Sequence, residues 1–192
     1  MSWVVRLIMK YIEKTNYQFD LDQLNFEWNH IKDFVLTNDQ WIHNQTSLQH
    51  SKDCVNQYTD GCTMRGPKGT PNPLDFYLIN DIYHGTLFEE IINILNVVRS
   101  RITIIEPKQK YGGMLVHTDQ TKKSHLALNT NPNAFFLFPE NPIEKNNIIH
   151  IPSEVIHIPA DGYVYNVDTT KPHIFVNAGE ENRAHLIMCH GA

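Results

Sequence analysis

The chain has 192 residues, 41% of them apolar and 19% charged. That suits one globular domain with a sizeable core and excludes both a largely disordered chain and two full domains. A net charge of -5, with Lys122-Lys123 as the only adjacent basic pair, excludes a nucleic-acid surface.

Three cysteines, Cys54, Cys62 and Cys189, match no zinc or disulfide spacing, and the odd count fits a reducing compartment. The first ten residues are apolar but lack a basic leader and a small-residue cleavage site. No later run approaches the ~18 apolar residues of a membrane helix. The expectation is a cytoplasmic protein with no membrane partner.

In chain order, Trp3, Val4, Leu7, Ile8, Tyr11 and Ile12 recur at three- and four-residue steps, which predicts a helix over 3–13. A second helix is predicted from Asp20, its cap, to about Val35, with Leu21, Leu24, Trp28, Ile31 and Val35 on one face. Residues 41–50 alternate enough for a strand. From Asp53 to Asp75 turn formers cluster, including Asp60-Gly61, Arg65-Gly66-Pro67 and Pro71-Asn72-Pro73, and a long loop is predicted. Thr86 with Glu89 reads as a capping box that opens a buried helix over 87–98.

From Arg101 the period switches to two. Strands are predicted at 101–105, 112–117, 125–129, 134–138, 148–151, 154–158, 163–166, 173–177 and 185–189. Many short strands after a helical N-terminal part predict a mainly β fold, a sandwich or barrel with helices packed outside. The division expected within one domain is a mostly helical part with a loop over 1–98 and a β core over 99–192.

Chemistry concentrates in that β half. His117-Thr118-Asp119 ends an apolar run, and His173 follows 56 positions after His117. Two imidazoles and a carboxylate form the facial triad that holds non-haem Fe(II) and leaves positions open for oxygen chemistry. Arg183 stands ten residues past His173, at the start of an apolar strand. An arginine there supplies the planar fork that the distal carboxylate of a dicarboxylate such as 2-oxoglutarate requires. Asp168 is a candidate to orient His173. Asn177 is read as satisfying backbone groups between strands, and His185, in phase with Arg183, as a core histidine. His150, His157 and His190 are read as strand or surface residues. Arg65 and Arg101 are candidates for a substrate carboxylate.

Several segments together resemble the aspartyl/asparaginyl β-hydroxylase family, which includes bacterial cis-proline hydroxylases. They are Arg101-Ile-Thr-Ile-Ile-Glu-Pro107, Val116-His117-Thr-Asp119, Ser124-His125-Leu-Ala-Leu128, Tyr165-Asn-Val-Asp168, His173-Ile-Phe-Val-Asn177 and Arg183-Ala-His185-Leu-Ile187. The resemblance covers roughly residues 97–190. It implies a double-stranded β-helix (jelly-roll, cupin-like) core buttressed by α-helices, with His117, Asp119 and His173 on Fe(II). It further implies that Arg183 holds the distal end of 2-oxoglutarate and His125 its iron-proximal end. Where the family usually has an arginine this chain has Lys123, which keeps the charge without the fork. Lys108 stands where a glycine often follows the proline of the first segment. The vertebrate-type members lack the carboxylate ligand that Asp119 provides here, which points toward the small-molecule side of the family.

The function implied is hydroxylation of an unactivated C–H, with O2 consumed and succinate and CO2 released. The substrate would be a free, proline-like amino acid or an Asp, Asn or Pro residue of a peptide. Two alternatives share the ligand set: a non-catalytic cupin-like metal or small-molecule-binding module, and a zinc hydrolase.

Overall fold

A computed structural model of the chain describes residues 11–38, 40, 44–62, 72–107, 116–140, 143–145, 148–150 and 153–191. Its first element is a strand, β1 (Ile12–Gln18), where the sequence suggested the end of a helix. Only Ile12 is buried there, so the strand owes its place to backbone pairing rather than to an apolar face. The rest of the helix expected over 3–13 lies outside the described residues.

Helix α1 (Leu21–Thr37) begins as predicted. Asp20 accepts a hydrogen bond from the Gln23 amide at 3.0 Å, and Leu24, Trp28, Ile31 and Val35 are buried along one face. The segment predicted as one strand at 41–50 is split into β2 (Gln45–Ser47) and β3 (Gln49–His50), with 41–43 outside the described residues. The described parts of the 53–75 loop, 53–62 and 72–75, hold no strand; Arg65 lies outside them. After β4 (Leu78–Ile79) comes α2 (Leu87–Ile94), capped by Thr86, which accepts from the Glu89 amide. Glu89 reaches back to the Gly85 amide at 2.7 Å.

That helix is shorter than the 87–98 predicted. Asn96 takes a left-handed conformation (φ 50°), which ends the helix, and Val97 already belongs to β5 (Val97–Ile105). The N-terminal half therefore mixes helices and strands rather than being mostly helical. The remaining strands are β6 (Lys123–Asn129), β7 (Ala134–Pro139), β8 (Ile143–Lys145), β9 (Ile148–His150), β10 (Ser153–Ile156), β11 (Tyr163–Val167), β12 (Ile174–Asn177) and β13 (Arg183–His190). Of the strand expected at 112–117, only the last residues are described, and His117 forms an isolated bridge instead.

Every strand pair among the described residues is antiparallel. The main sheet has six strands in the order β1-β11-β6-β13-β5-β2, and a three-stranded sheet runs β10-β7-β12. One face of the main sheet gives Ile102, Ile104, Leu126, Leu128, Leu186 and Met188 to a core shared with α1 and α2. Its other face gives Ile105, Ala127, Tyr165 and Val167 to a second core with Phe136, Phe138 and Phe175 of the smaller sheet. β6 and β13 are thus buried on both faces, and the residues between the two sheets form the interior where the site lies. No helix among the described residues is long and apolar enough to cross a membrane.

One turn is tightly specified. Gly162, just before β11, has φ +76°, and a Cβ on it would lie 2.4 Å from the Phe19 carbonyl oxygen. That close approach lets the Phe19 amide donate to the Gly162 carbonyl at 2.9 Å, tying the end of β1 to β11. Gly162→Ala is expected to lower stability by about 1–3 kcal/mol through left-handed strain and the clash. Thermal unfolding checks this; an unchanged Tm would mean that the turn relaxes at no cost.

Candidate metal centre

His117 and His173 meet across an isolated antiparallel bridge, each amide donating to the other's carbonyl at 3.0 and 2.9 Å. Two residues on, the Asp119 amide donates to the Thr169 carbonyl at 2.8 Å, so the loop after His117 is held against the turn before His173. This backbone clamp brings one ligand atom each from His117, Asp119 and His173 to within 4.8 Å of one another. The two imidazole rings are 4.4 Å apart, tilted by 48°. His173 Nε2 stands 3.7 Å from Asp119 Oδ2.

Protonation favours metal binding. His173 Nδ1 lies 2.9 Å from the Lys171 carbonyl oxygen and so carries the proton, leaving Nε2 as a lone pair beside Asp119. The expected orienting partner, Asp168, does not touch His173: its carboxylate contacts Thr170 and, at 4.0 Å, Lys122. A backbone carbonyl does that job instead. Burial pushes the His173 pKa down, so the ring is neutral. For Asp119, burial pushes up, but contact with Lys123 and the two histidines outweigh it, and the carboxyl ends below its ordinary value. Two imidazoles and one carboxylate are the donor set that Fe(II) accepts.

Further in, β13 alternates. Ala184, Leu186 and Met188 join the helix-side core, while Arg183 and His185 face the space between the sheets. Arg183 is 1% exposed. Its guanidinium lies 3.7 Å from the centroid of the Phe175 ring and donates to His185 Nδ1, while Nε has no partner. None of the ion pairs among the described residues includes it. Burial holds its pKa well below the usual range, the mark of a cation that lacks a counter-ion.

His125, 3% exposed, is beside this group: its ring is 5.9 Å from that of His185 and edge-on to Phe136 at 5.2 Å. Neither ring nitrogen of His125 has a partner, nor does His185 Nε2. Burial, then the charges of Arg183, Lys123 and Arg101, keep His125 neutral, with one N–H to donate. Three buried groups with orphaned polar atoms around one interior are a cradle for an anion.

Lys123, expected to touch that anion, instead places Nζ on Asp119 Oδ2. Asp119 and Lys123 are four positions apart, the only sequence signal for this pair. Asn177 serves the backbone as read: Nδ2 donates to the Ile105 and Glu181 carbonyls at 2.8 and 2.9 Å, closing the two sheets together near Arg183. His185 was read as an ordinary core histidine; its bond to Arg183 was missed, although the two alternate in phase.

No protein-family model matches the chain, and no curated protein sequence matches it. Among solved structures, one described as IDO from Bacillus thuringiensis aligns over 95% of this chain and 95% of its own, at 12% identity and a TM-score of 0.41. Another, described as the non-heme alpha ketoglutarate dependent carbocyclase SnoK from nogalamycin biosynthesis, covers 57% of this chain and 58% of its own, at 13% identity and a TM-score of 0.30. Both likenesses are loose, and no chemistry follows from either.

Proposed function

We propose that the chain is an Fe(II)- and 2-oxoglutarate-dependent oxygenase of the aspartyl/asparaginyl β-hydroxylase type. It hydroxylates an unactivated C–H of a free, proline-like amino acid or of an Asp, Asn or Pro residue in a peptide. The observation that carries this reading is Arg183, a buried guanidinium without a carboxylate partner among the described residues, in the interior that also holds the His/Asp/His set. A metal-binding module or a zinc hydrolase has no use for a buried, unpaired cation beyond its ligands. Two facing antiparallel sheets suit the double-stranded β-helix core of that family.

In this reading His117, Asp119 and His173 hold the iron, which with 2-oxoglutarate and O2 supplies C–H hydroxylation with succinate and CO2 as co-products. Arg183 receives the distal carboxylate, fixed by the Phe175 face and His185 so that its fork is oriented beforehand. His125 donates its N–H to the proximal end. Lys123 holds Asp119 ionised and in position. Phe136, Phe138 and Phe175 keep water from the interior.

The test is the visible spectrum of the apo-protein under argon, titrated with Fe(II) and then 2-oxoglutarate. A weak charge-transfer band is expected only when both are present. Iron binding without such a band would reject the reading in favour of the non-catalytic module.

A further inference from the structure

A cavity of about 360 Å³ opens on the helix-side face of the main sheet, and neither the His/Asp/His set nor Arg183 lines it. That volume falls within the range of small-molecule sites. Its base is apolar: Trp28 of α1, Ile104 of β5, Leu128 of β6 and Ala184 of β13. Ala184 is the small residue of a row that Leu186 and Met188 continue, so the space under α1 is filled farther along β13 and left open here.

The rim is polar on both sides. Asn25, Asn29 and Lys32 stand at positions i, i+4 and i+7 of α1, beside its buried stripe. Asn129, at the end of β6, and Asn182, just before β13, face them. Asn129 owes its place to a β-bulge. Ala184 pairs with Asn129 but His185 pairs with Ala127, so Leu128 is skipped. Strict alternation would send Asn129 between the sheets with His125 and Ala127; the extra residue turns it to the helix side. Its Nδ2 donates to the Asn182 carbonyl at 3.0 Å, which fixes this part of the rim.

Hydrogen-bonding capacity is left over at both levels. Trp28 is 5% exposed, yet its indole N–H makes no hydrogen bond with any described residue. An indole N–H only donates, and when buried it usually finds an acceptor. The carboxamides of Asn25, Asn29 and Asn182 and the Lys32 ammonium make no hydrogen bond with described residues either. No carboxylate is among the described residues that line the cavity. A fitting ligand presents an acceptor to Trp28, donors as well as acceptors to the carboxamides, and apolar surface to the base. Hydroxyl groups on one ring meet all three demands, since each donates and accepts while the ring C–H bonds are apolar. A carboxylate would answer Lys32 but has nothing to donate to the carboxamide oxygens.

We propose that this cavity binds a hexose-sized sugar, free or at the end of a glycan, with the asparagines and Lys32 on its hydroxyls and Trp28 beneath. The site lies across β13 from Arg183 and uses neither metal nor cosubstrate, so it stands apart from the oxygenase reading.

The test is the 1H–15N spectrum of the whole chain labelled at tryptophan, without metal. The chain has three tryptophans, and the variants Trp3→Phe and Trp41→Phe identify the remaining indole resonance as that of Trp28. The probes are glucose, galactose, mannose and N-acetylglucosamine, with acetate and N-acetylglycinamide as an anion and an amide of the wrong chemistry. At least one sugar should shift the Trp28 indole saturably, with a Kd on the order of 1 mM, and the other two probes should not. Methyl glycosides separate the sources: a site for free sugar rejects them and a site for a glycan end accepts one anomer, and either result supports the proposal. Asn29→Ala and Lys32→Ala each remove one rim group at helix positions that accept alanine, and each should raise the Kd roughly three- to tenfold. No saturable shift with any sugar, an equal response to acetate or N-acetylglycinamide, or an unchanged Kd in both helix variants would overturn it.

Discussion

Arg183→Met should abolish the response of the protein to 2-oxoglutarate while leaving its response to metal intact. The guanidinium is buried between the sheets, oriented by His185 and Phe175, and has no carboxylate partner among the described residues. Truncating one partner of a buried, hydrogen-bonded charge pair costs about 2–5 kcal/mol, so the Kd for 2-oxoglutarate should rise roughly thirtyfold to several thousandfold. The stability of the unliganded protein should move the other way. An unpaired buried cation is unfavourable, and methionine fills similar volume without that penalty, so the apo-variant should melt no lower than wild type. Tm measured with Mn(II), then with 2-oxoglutarate added, separates the two effects. A variant that keeps the full 2-oxoglutarate-dependent rise in Tm would remove Arg183 from the cosubstrate site.

His173→Ala should lose metal retention altogether. The ring presents Nε2 to the site because the Lys171 carbonyl holds Nδ1, and the rings of Phe136 and Phe138, 6.4 and 6.1 Å away, limit its movement. Removing groups that merely orient a ligand costs 10–100-fold in metal affinity as a rule; removing one of three ligands should cost more. Equilibrium dialysis against Mn(II) or Fe(II) under argon measures this. Imidazole added to the variant should recover part of the binding by occupying the space left behind. Retention of wild-type affinity without imidazole would exclude His173 from the ligand set.

The parts of this protein that were legible in its sequence are those where side chains dictate the backbone. α1 follows from Leu24, Trp28, Ile31 and Val35 on one stripe and from the Asp20 cap. The β half follows from alternation in segments such as 134–138 and 183–190. His117, Asp119 and His173 were recognisable because their chemistry is specific, and the fold does bring them together. β1 was not legible: Ile-Glu-Lys-Thr-Asn-Tyr-Gln shows no alternation, since only Ile12 of this edge strand is buried and the other side-chain contacts, Lys14 to Asp161 and Thr15 to the Val164 carbonyl, are polar. The end of α2 was missed because Val97 and Val98 continue the apolar run, although Asn96 carried the stop signal. The partner of His173 was beyond reach because a main-chain carbonyl leaves no trace in composition. Lys123 was assigned by position in a motif, whereas its contact with Asp119 depends on how the loop from 119 to 123 folds back.

The two amide hydrogen bonds between His117 and His173 form an isolated bridge, braced two residues on by the Asp119 amide on the Thr169 carbonyl. Without a metal, this short clasp can open locally, and both amides should exchange with solvent much faster than those of β6 and β13. With a metal bound to both side chains, the same two amides cannot part until a ligand lets go. Occupancy of the centre should therefore be readable as slowed hydrogen–deuterium exchange at two main-chain positions, with no need of a visible band or of turnover. The clasp makes backbone opening and metal release a single event.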